Sequence, residues 1–497
     1  MTSPATTAPT GSTTSTGSTT STTPARAARP TGTPPVIRWL VLATFIVILN
    51  ETIMINAIPR LMTDLAITAT AAQWLSTAFM LTMAAVIPVT GWFLQRFATR
   101  TAYLTAMATF LVGTALAAAA PTFEVLLGAR IVQAGGTAVM IPLLMTTLMT
   151  VVPESDRGRV MGNVTLAMSV APAMGPAVSG VVLQVGSWRL LFLLVLPIAA
   201  AITWVGFRRL ENVGEPRPGD VDWFSVVVAA LGFGGLVYGL SRFSEGEVAT
   251  PVALIVAGLG AIAAFVLRQR SLQRTGSPLM DLRVLTHRTY TLALLLMAVA
   301  FMSMLGAMIL LPLYLQEVRG LSPLQTGLLV MPGGIAMGLL GPSVGRVFDR
   351  LGGRVLVVPG AVGIVVALAG LTQVGAATPY ALVLGIHVLL SVSLAAVFTP
   401  VFTLGLGALP AHLYSHGSSM LGTLQQVAAA FGTALVITVM TTRAAGLVET
   451  GTGQVAALLE GLRSAFWVGA AISLLVVVVA LFLPNRAEHS DGPVTGH

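Results

Sequence analysis

The chain has 497 residues, of which 55% are hydrophobic and only 9% charged, whereas soluble domains carry roughly a quarter charged residues, so a water-soluble protein is excluded. Its 26 basic residues are all Arg, and with 18 acidic residues they leave a net charge of +8. They fall in short clusters between long apolar runs instead of forming the stripe a nucleic-acid partner would need. There is no Cys, so disulfides, thiolate metal sites and thiol nucleophiles are ruled out, and the His residues show no metal-ligand spacing; no metal or cofactor is expected.

Residues 1–35 are almost entirely Thr, Ser, Pro, Gly and Ala, with Arg26 and Arg29 as their only charges. Such a segment can bury almost nothing and is expected to be a disordered tail. The apolar run that follows is about 20 residues long and lacks a small-residue cleavage site, so it reads as a membrane span and not as a secretory leader. A crossing needs about 20 predominantly apolar residues at 1.5 Å rise each. On that measure helices are expected near 36–59, 73–94, 101–120, 123–147, 158–183, 188–207 and 221–241, then near 250–268, 289–316, 322–347, 354–374, 379–404, 418–441 and 463–483. That makes fourteen spans of an all-α integral membrane protein.

The distribution of Arg tests this count, because a missed span would swap the sides of every later loop. With the N-terminus inside, nineteen Arg fall on the inner side, six (Arg60, Arg189, Arg242, Arg319, Arg443 and Arg463) fall outside, and Arg130 lies within a helix. Both termini are therefore expected in the cytoplasm, with the chain multi-pass in the cell inner (plasma) membrane. The poorest support comes from the inner loop near 406–417, which holds no Arg and only His412 and His416.

The loop after the second span runs from Gly91 through Arg96 to Arg100, and the loop after the tenth runs from Gly345 through Asp349, Arg350 and Gly352 to Arg354. The two align position for position, eight spans apart. Six helices per repeat would place them six apart, so two helices are inserted between related halves. The expected order is a tail (1–35), a six-helix bundle (36–208), two inserted helices with linkers (209–287), a second six-helix bundle (288–484) and a cytoplasmic tail (485–497).

Within the spans, the first holds Glu51, the one carboxylate expected deep inside a helix, next to Asn50 and followed by Asn56. Burial penalises its charged form, which suits a group that cycles protons; the other reading is a Glu reaching back to the outer surface. In the fourth span Arg130 and Gln133 lie one turn apart and share a face. An Arg there must face a cavity or a partner, either bonding backbone carbonyls or tuning a neighbouring carboxylate. The fifth span has Gly175, Pro176 and Gly180, with Ala171, Gly175 and Ser179 forming a small-residue face for close helix approach. Asn50, Asn56, Gln133, His387, Gln425 and Gln426 are expected to line a central cavity, interior helix contacts being the alternative for each. Glu317 is read as either a second ion site or a solvated helix end.

These features together resemble the major facilitator superfamily, and within it the fourteen-span drug:proton antiporter family, over residues 36–484. The second-half loop matches that family's G-x-x-x-D-R-x-G-x-R pattern through Gly345, Asp349, Arg350, Gly352 and Arg354. The resemblance implies a charge network of carboxylate and guanidiniums at the inner mouth. The first copy keeps Gly91, Arg96 and Arg100 but has Gln95 in place of Asp and Ala98 in place of Gly. Arg130, Gln133 and the following glycines resemble the R-x-x-Q-x-G pattern, and Gly175-Pro176 with Gly180 resembles the motif of the antiporter branches. The family commonly has Asp where Asn50 stands; the Asn50-Glu51-Thr52 version is similar to the branch of lincomycin-resistance exporters.

The resemblance implies a major facilitator fold of 6+2+6 helices, no enzymatic activity, and proton-coupled efflux of lipophilic drugs or antibiotics by alternating access. Its partners would be a small lipophilic substrate, protons and the lipid bilayer, without nucleic acid, and it would act as a monomer. Glu51 and Arg130 would carry proton coupling. Export of a cell-made antibiotic, amino acid or lipid uses the same machinery and is the alternative, with uniport or import behind it. A membrane enzyme or receptor would need a catalytic constellation or an appended domain, and neither a nucleotide-binding P-loop nor a long hydrophilic loop is present.

Overall fold

Every long apolar run becomes a helix in the computed structural model, which describes residues 2, 33–54, 57–213, 216, 219–242, 248–275 and 278–486. The expectations for both tails beyond these limits, and for Asn56, lie outside the described residues. The first seven helices are α1 (Pro35–Ile53), α2 (Ile58–Asp64), α3 (Ala69–Arg96), α4 (Thr99–Ala119), α5 (Phe123–Val151), α6 (Glu154–Val185) and α7 (Arg189–Arg209). They are followed by α8 (Trp223–Arg242), α9 (Ala249–Thr275), α10 (Arg288–Leu313), α11 (Pro323–Leu351), α12 (Arg354–Leu371), α13 (Tyr380–Gly407), α14 (Tyr414–Glu449) and α15 (Gln454–Phe482). Among the described residues all regular structure is helical, and 14 helices are long and apolar enough to cross a membrane.

Several boundaries shift from expectation, most of all in the first span and the last two. The first span is shorter than 36–59: α1 stops at Ile53 and α2 restarts at Ile58 with Pro59 in its first turn. Proline is well suited to a first turn and disfavours helix in the residue before it. The last two spans are longer than expected, since α14 runs to Glu449 and α15 starts at Gln454. Arg443, Glu460 and Arg463 therefore ride on helices that project past the apolar stretch, with Arg463 paired to Glu460 at 2.6 Å.

Two helical groups assemble from these elements. In the first, α4 packs on α5 and α7, and α1 packs on α5, α6 and α7; in the second, α10 packs on α13, α14 and α15, and α12 on α13 and α15. The groups meet where α6 crosses α11 and where α3 and α5 meet α14. The α6–α11 crossing depends on glycine. A Cβ on Gly162 would strike the Gly341 carbonyl, and one on Gly345 would strike the Gly158 carbonyl. Absent side chains let two backbones approach this closely, the usual device for helix contact in lipid.

The inserted hairpin of α8 and α9 lies against both groups. Leu236, Val237 and Leu240 of α8 pack with Ala84 of α3 and with Ala430 and Ala434 of α14, and Tyr238 stacks at 5.5 Å on Trp74. At its base Arg268 of α9 grips Asp222 with two bonds of 2.9 and 3.2 Å, holding that carboxyl below the usual carboxylate range. Gln269, fully buried, donates to Ser225 at 2.8 Å and accepts from the Met280 N–H at 3.2 Å. The linker into α10 is thereby tied to the hairpin.

Candidate functional site

Two assemblies of polar residues stand out: a cluster inside the first helical group, and a seal at the end that carries the α3–α4, α5–α6 and α11–α12 connections, here termed the basic end. In the cluster, Arg130 of α5 is 1% exposed. Its Nη1 donates to Gln133 Oε1 at 2.8 Å, Gln133 Nε2 donates to the Thr114 hydroxyl of α4 at 2.9 Å, and that hydroxyl donates to the Phe110 carbonyl at 2.7 Å. The guanidinium lies 4.1 Å from the centroid of the Phe79 ring of α3, a contact strengthened by desolvation. A cation so held faces protein on all sides, as an arginine at this depth must.

Glu51 of α1 is partly buried and interacts through space with the Arg130 charge. It sits two residues from the end of α1, nearer a helix terminus than expected. Its neighbour Asn50 is 0% exposed, and neither of its amide atoms has a protein partner, nor does Arg130 Nε. Thr52, the next residue, fits against Gly175 of α6, where a Cβ would overlap its side chain. Glu51, Arg130 and the Gly175-Pro176 segment, far apart in sequence, thus gather in the first group. A Cβ added at Gly327 of α11 would meet Pro176, and one added at Gly180 would meet Leu324.

The expected cavity residues separate. Asn50, Gln133 and Gln425 are buried within helix packing, whereas Gln426 is partly exposed. His387 makes an interior contact, the alternative given for each of these residues: its Nε2 lies 3.1 Å from the Val330 carbonyl and its ring packs on Gly333, joining α13 to α11 inside the second group. Glu317 is exposed, in a π-helical turn.

The basic end differs from the expected charge network. Asp349 accepts from the backbone N–H groups of Gly158 and Arg159, each at 2.8 Å. Those donors are the fifth and sixth residues of α6, so Asp349 is seated on the second turn of the opposite group's helix. Arg96, Arg350 and Arg354 are exposed, and Arg100 stacks on Phe207 at 4.5 Å. Gly352, at φ 86°, makes the turn that an L side chain would strain. Asn485 braces that turn: its Oδ1 accepts from Arg354 N–H at 3.1 Å, its carbonyl accepts from Gly353 N–H at 2.8 Å, and its Nδ2 donates to the Leu351 carbonyl at 3.1 Å. Nothing in the residue type or spacing marked Asn485.

The first copy of the loop uses the opposite polarity. Gln95 Nε2 donates to the His412 carbonyl at 2.8 Å, and Gly91 closes on His416. Nearby, Ser419 donates to the Ile87 carbonyl at 2.6 Å, and Thr146 donates to Ser418 at 3.3 Å. The stretch poorest in charge, 412–419, therefore receives most of the bonds from the first group. Gln95→Asp should weaken this seal, because it sets a carboxylate against a carbonyl where a donor stood. Transport is expected to fall roughly three- to tenfold in initial-rate assays, with Gln95→Asn closer to the parent; a faster Asp variant would contradict the polarity.

Fourteen spans, with an ionisable cluster enclosed in the first group, define a polytopic membrane protein. Residues 40–433 match the model of the Major Facilitator Superfamily. The chain is 37% identical over 457 residues to the lincomycin resistance protein LmrB of Listeria monocytogenes, covering 90% of this chain and 96% of that protein. It is 37% identical over 463 residues to the uncharacterized MFS-type transporter YcnB of Bacillus subtilis, covering 92% and 97%. The human organic anion transporter MFSD10 shares the fold, with a TM-score of 0.64 at 16% identity over 90% of this chain and 100% of that one. The chain belongs to the major facilitator superfamily. It is a multi-pass plasma-membrane transporter and not an enzyme.

Proposed function

We propose that the chain is a monomeric proton-coupled antiporter that expels small lipophilic drugs or antibiotics by alternating access, with the basic end and both termini in the cytoplasm. The two bundles, 36–208 and 288–484, rock about the α6–α11 crossing and slide against the inserted pair, 209–287. The observation that carries the reading is Glu51: a carboxyl in the first span, within the field of a buried Arg130 and beside the residue that fits Gly175. A protonatable group packed beside α6, the helix that crosses α11, is placed to couple exchange of a proton for a substrate to that crossing. The excess of Arg at the basic end supports the orientation. The similarity to a protein named for lincomycin resistance supports the substrate class.

In inverted vesicles with an acid interior, a fluorescent lipophilic dye should accumulate, and a protonophore should release it. Accumulation that survives the protonophore would remove the proton from the cycle.

A further inference from the structure

Arg157, in the first turn of α6, is 9% exposed, unlike Arg96, Arg350 and Arg354 at the same end, which are exposed. Its Nη2 donates to the Met149 carbonyl at 3.0 Å and its Nε to the Val152 carbonyl at 3.2 Å. These acceptors close α5, where a helix leaves carbonyls unpaired and carries partial negative charge. Glu154 adds a carboxylate 3.7 Å from Nη1. All of these partners belong to the first group of helices. One bond leaves it: Nη2 also donates to the Tyr414 hydroxyl at 3.2 Å, with the guanidinium 5.8 Å from that ring's centroid. Tyr414 is buried and is the first residue of α14, in the second group.

The geometry assigns to Arg157 and Tyr414 the role of a releasable latch across the basic end, a positioning contact that favours the sealed arrangement. The assignment rests on the alternating-access reading above. A buried charge pair is costly to break because one ion is left unpaired. Arg157 avoids that cost: when the groups part, it loses a single phenolic acceptor and keeps two carbonyls and a carboxylate. Tyr414, released, presents its hydroxyl to entering water. The contact is thus strong enough to bias the equilibrium between two arrangements and weak enough to be remade in every cycle. It differs from the Asp349 contact, whose two N–H donors both lie on the opposite group, so that parting strips that carboxylate of both bonds.

The chain has no Cys, so a single reporter thiol can be read without background. Thr403 is buried on α13, one turn beyond Thr399, which bonds Thr165 of α6 across the groups at 2.9 Å. With Thr403→Cys as reporter and the basic end facing the bath, Tyr414→Phe should speed labelling by a membrane-impermeant maleimide roughly tenfold. Its melting temperature should stay within about 2 °C of the parent, since the ring and its packing remain. Arg157→Lys, which keeps the charge but lacks the fork that reaches three oxygens, should also speed labelling. Unchanged or slower labelling in Tyr414→Phe, while substrate still alters labelling of the parent, overturns the latch and leaves alternating access standing. No labelling in any variant, with or without substrate, overturns both.

Discussion

Glu51→Gln is expected to abolish gradient-driven accumulation of a lipophilic dye in inverted vesicles, a loss of about a hundredfold or more, while the protein still reaches the membrane at normal levels. Glutamine has nearly the same shape, so helix packing around Thr52 and Gly175 survives. It cannot take up or release a proton. It also leaves Arg130 with its guanidinium bonded to Gln133 and stacked on Phe79 but facing no carboxylate, so the field across the cluster no longer changes through the cycle. Substrate exchange without a gradient should persist, because that step needs only the two arrangements. Glu51→Asp, shorter by one methylene, should retain part of the accumulation. Full accumulation by the Gln variant would take Glu51 out of the mechanism.

The second large effect is expected from Gly162→Val. A side chain there meets the Gly341 carbonyl group and, at 2.8 Å, the Pro342 Cα. These are backbone atoms of a helix, which cannot swing aside as a flexible side chain would. Overpacking in a well-packed interior costs about 1–3 kcal/mol, and a backbone collision between two helices lies at or above the upper end of that range. Detergent-solubilised protein should melt several degrees lower, and transport should fall below detection because the crossing is the proposed axis of rocking. Gly128→Ala in α5 is the matched control: nothing lies within 4 Å of its added methyl, and alanine is the better helix former. Equal behaviour of the two variants would show that the close approach of α6 and α11 is dispensable.

The spans were legible because lipid demands about 20 apolar residues per crossing, and two loops of the same pattern eight spans apart are what point to an inserted pair. Helix ends were not. The turns of α14 and α15 beyond the expected spans are interrupted by Arg443, Glu460 and Arg463, and hydropathy cannot tell a projecting helix from a loop. The break after Ile53 could be read from Pro59, yet the apolar run around it favoured a continuous span. The polar side chains of the candidate site were visible as types at depth: Glu51, Arg130, Gln133. Their partners were not, because most are backbone atoms without a signature. Asp349 binds two N–H groups, Gln95 reaches a carbonyl 317 residues away, and Arg157 looked like one more topology-setting arginine until two carbonyls of α5 and a tyrosine of α14 were found around it. His387 shows the same limit: residue type alone left it open between a cavity and an interior contact, and its one bond is to a backbone carbonyl, Val330, while its Nδ1 has no protein partner.

The inserted hairpin touches both groups of helices through α8, and this has a mechanical consequence. Any rocking of one group against the other must shear the surface where Leu236, Val237 and Leu240 rest on Ala84, Ala430 and Ala434. Methyl groups sliding over methyl groups exchange one set of dispersion contacts for another of similar strength, and no directional bond among them has to break. The face behaves as a lubricated bearing, while Asp222, Arg268 and Gln269 at its base anchor the hairpin to its own linker. The two extra spans can therefore stay put and keep lipid out of the seam between α3 and α14 while the rest of the molecule moves beneath them.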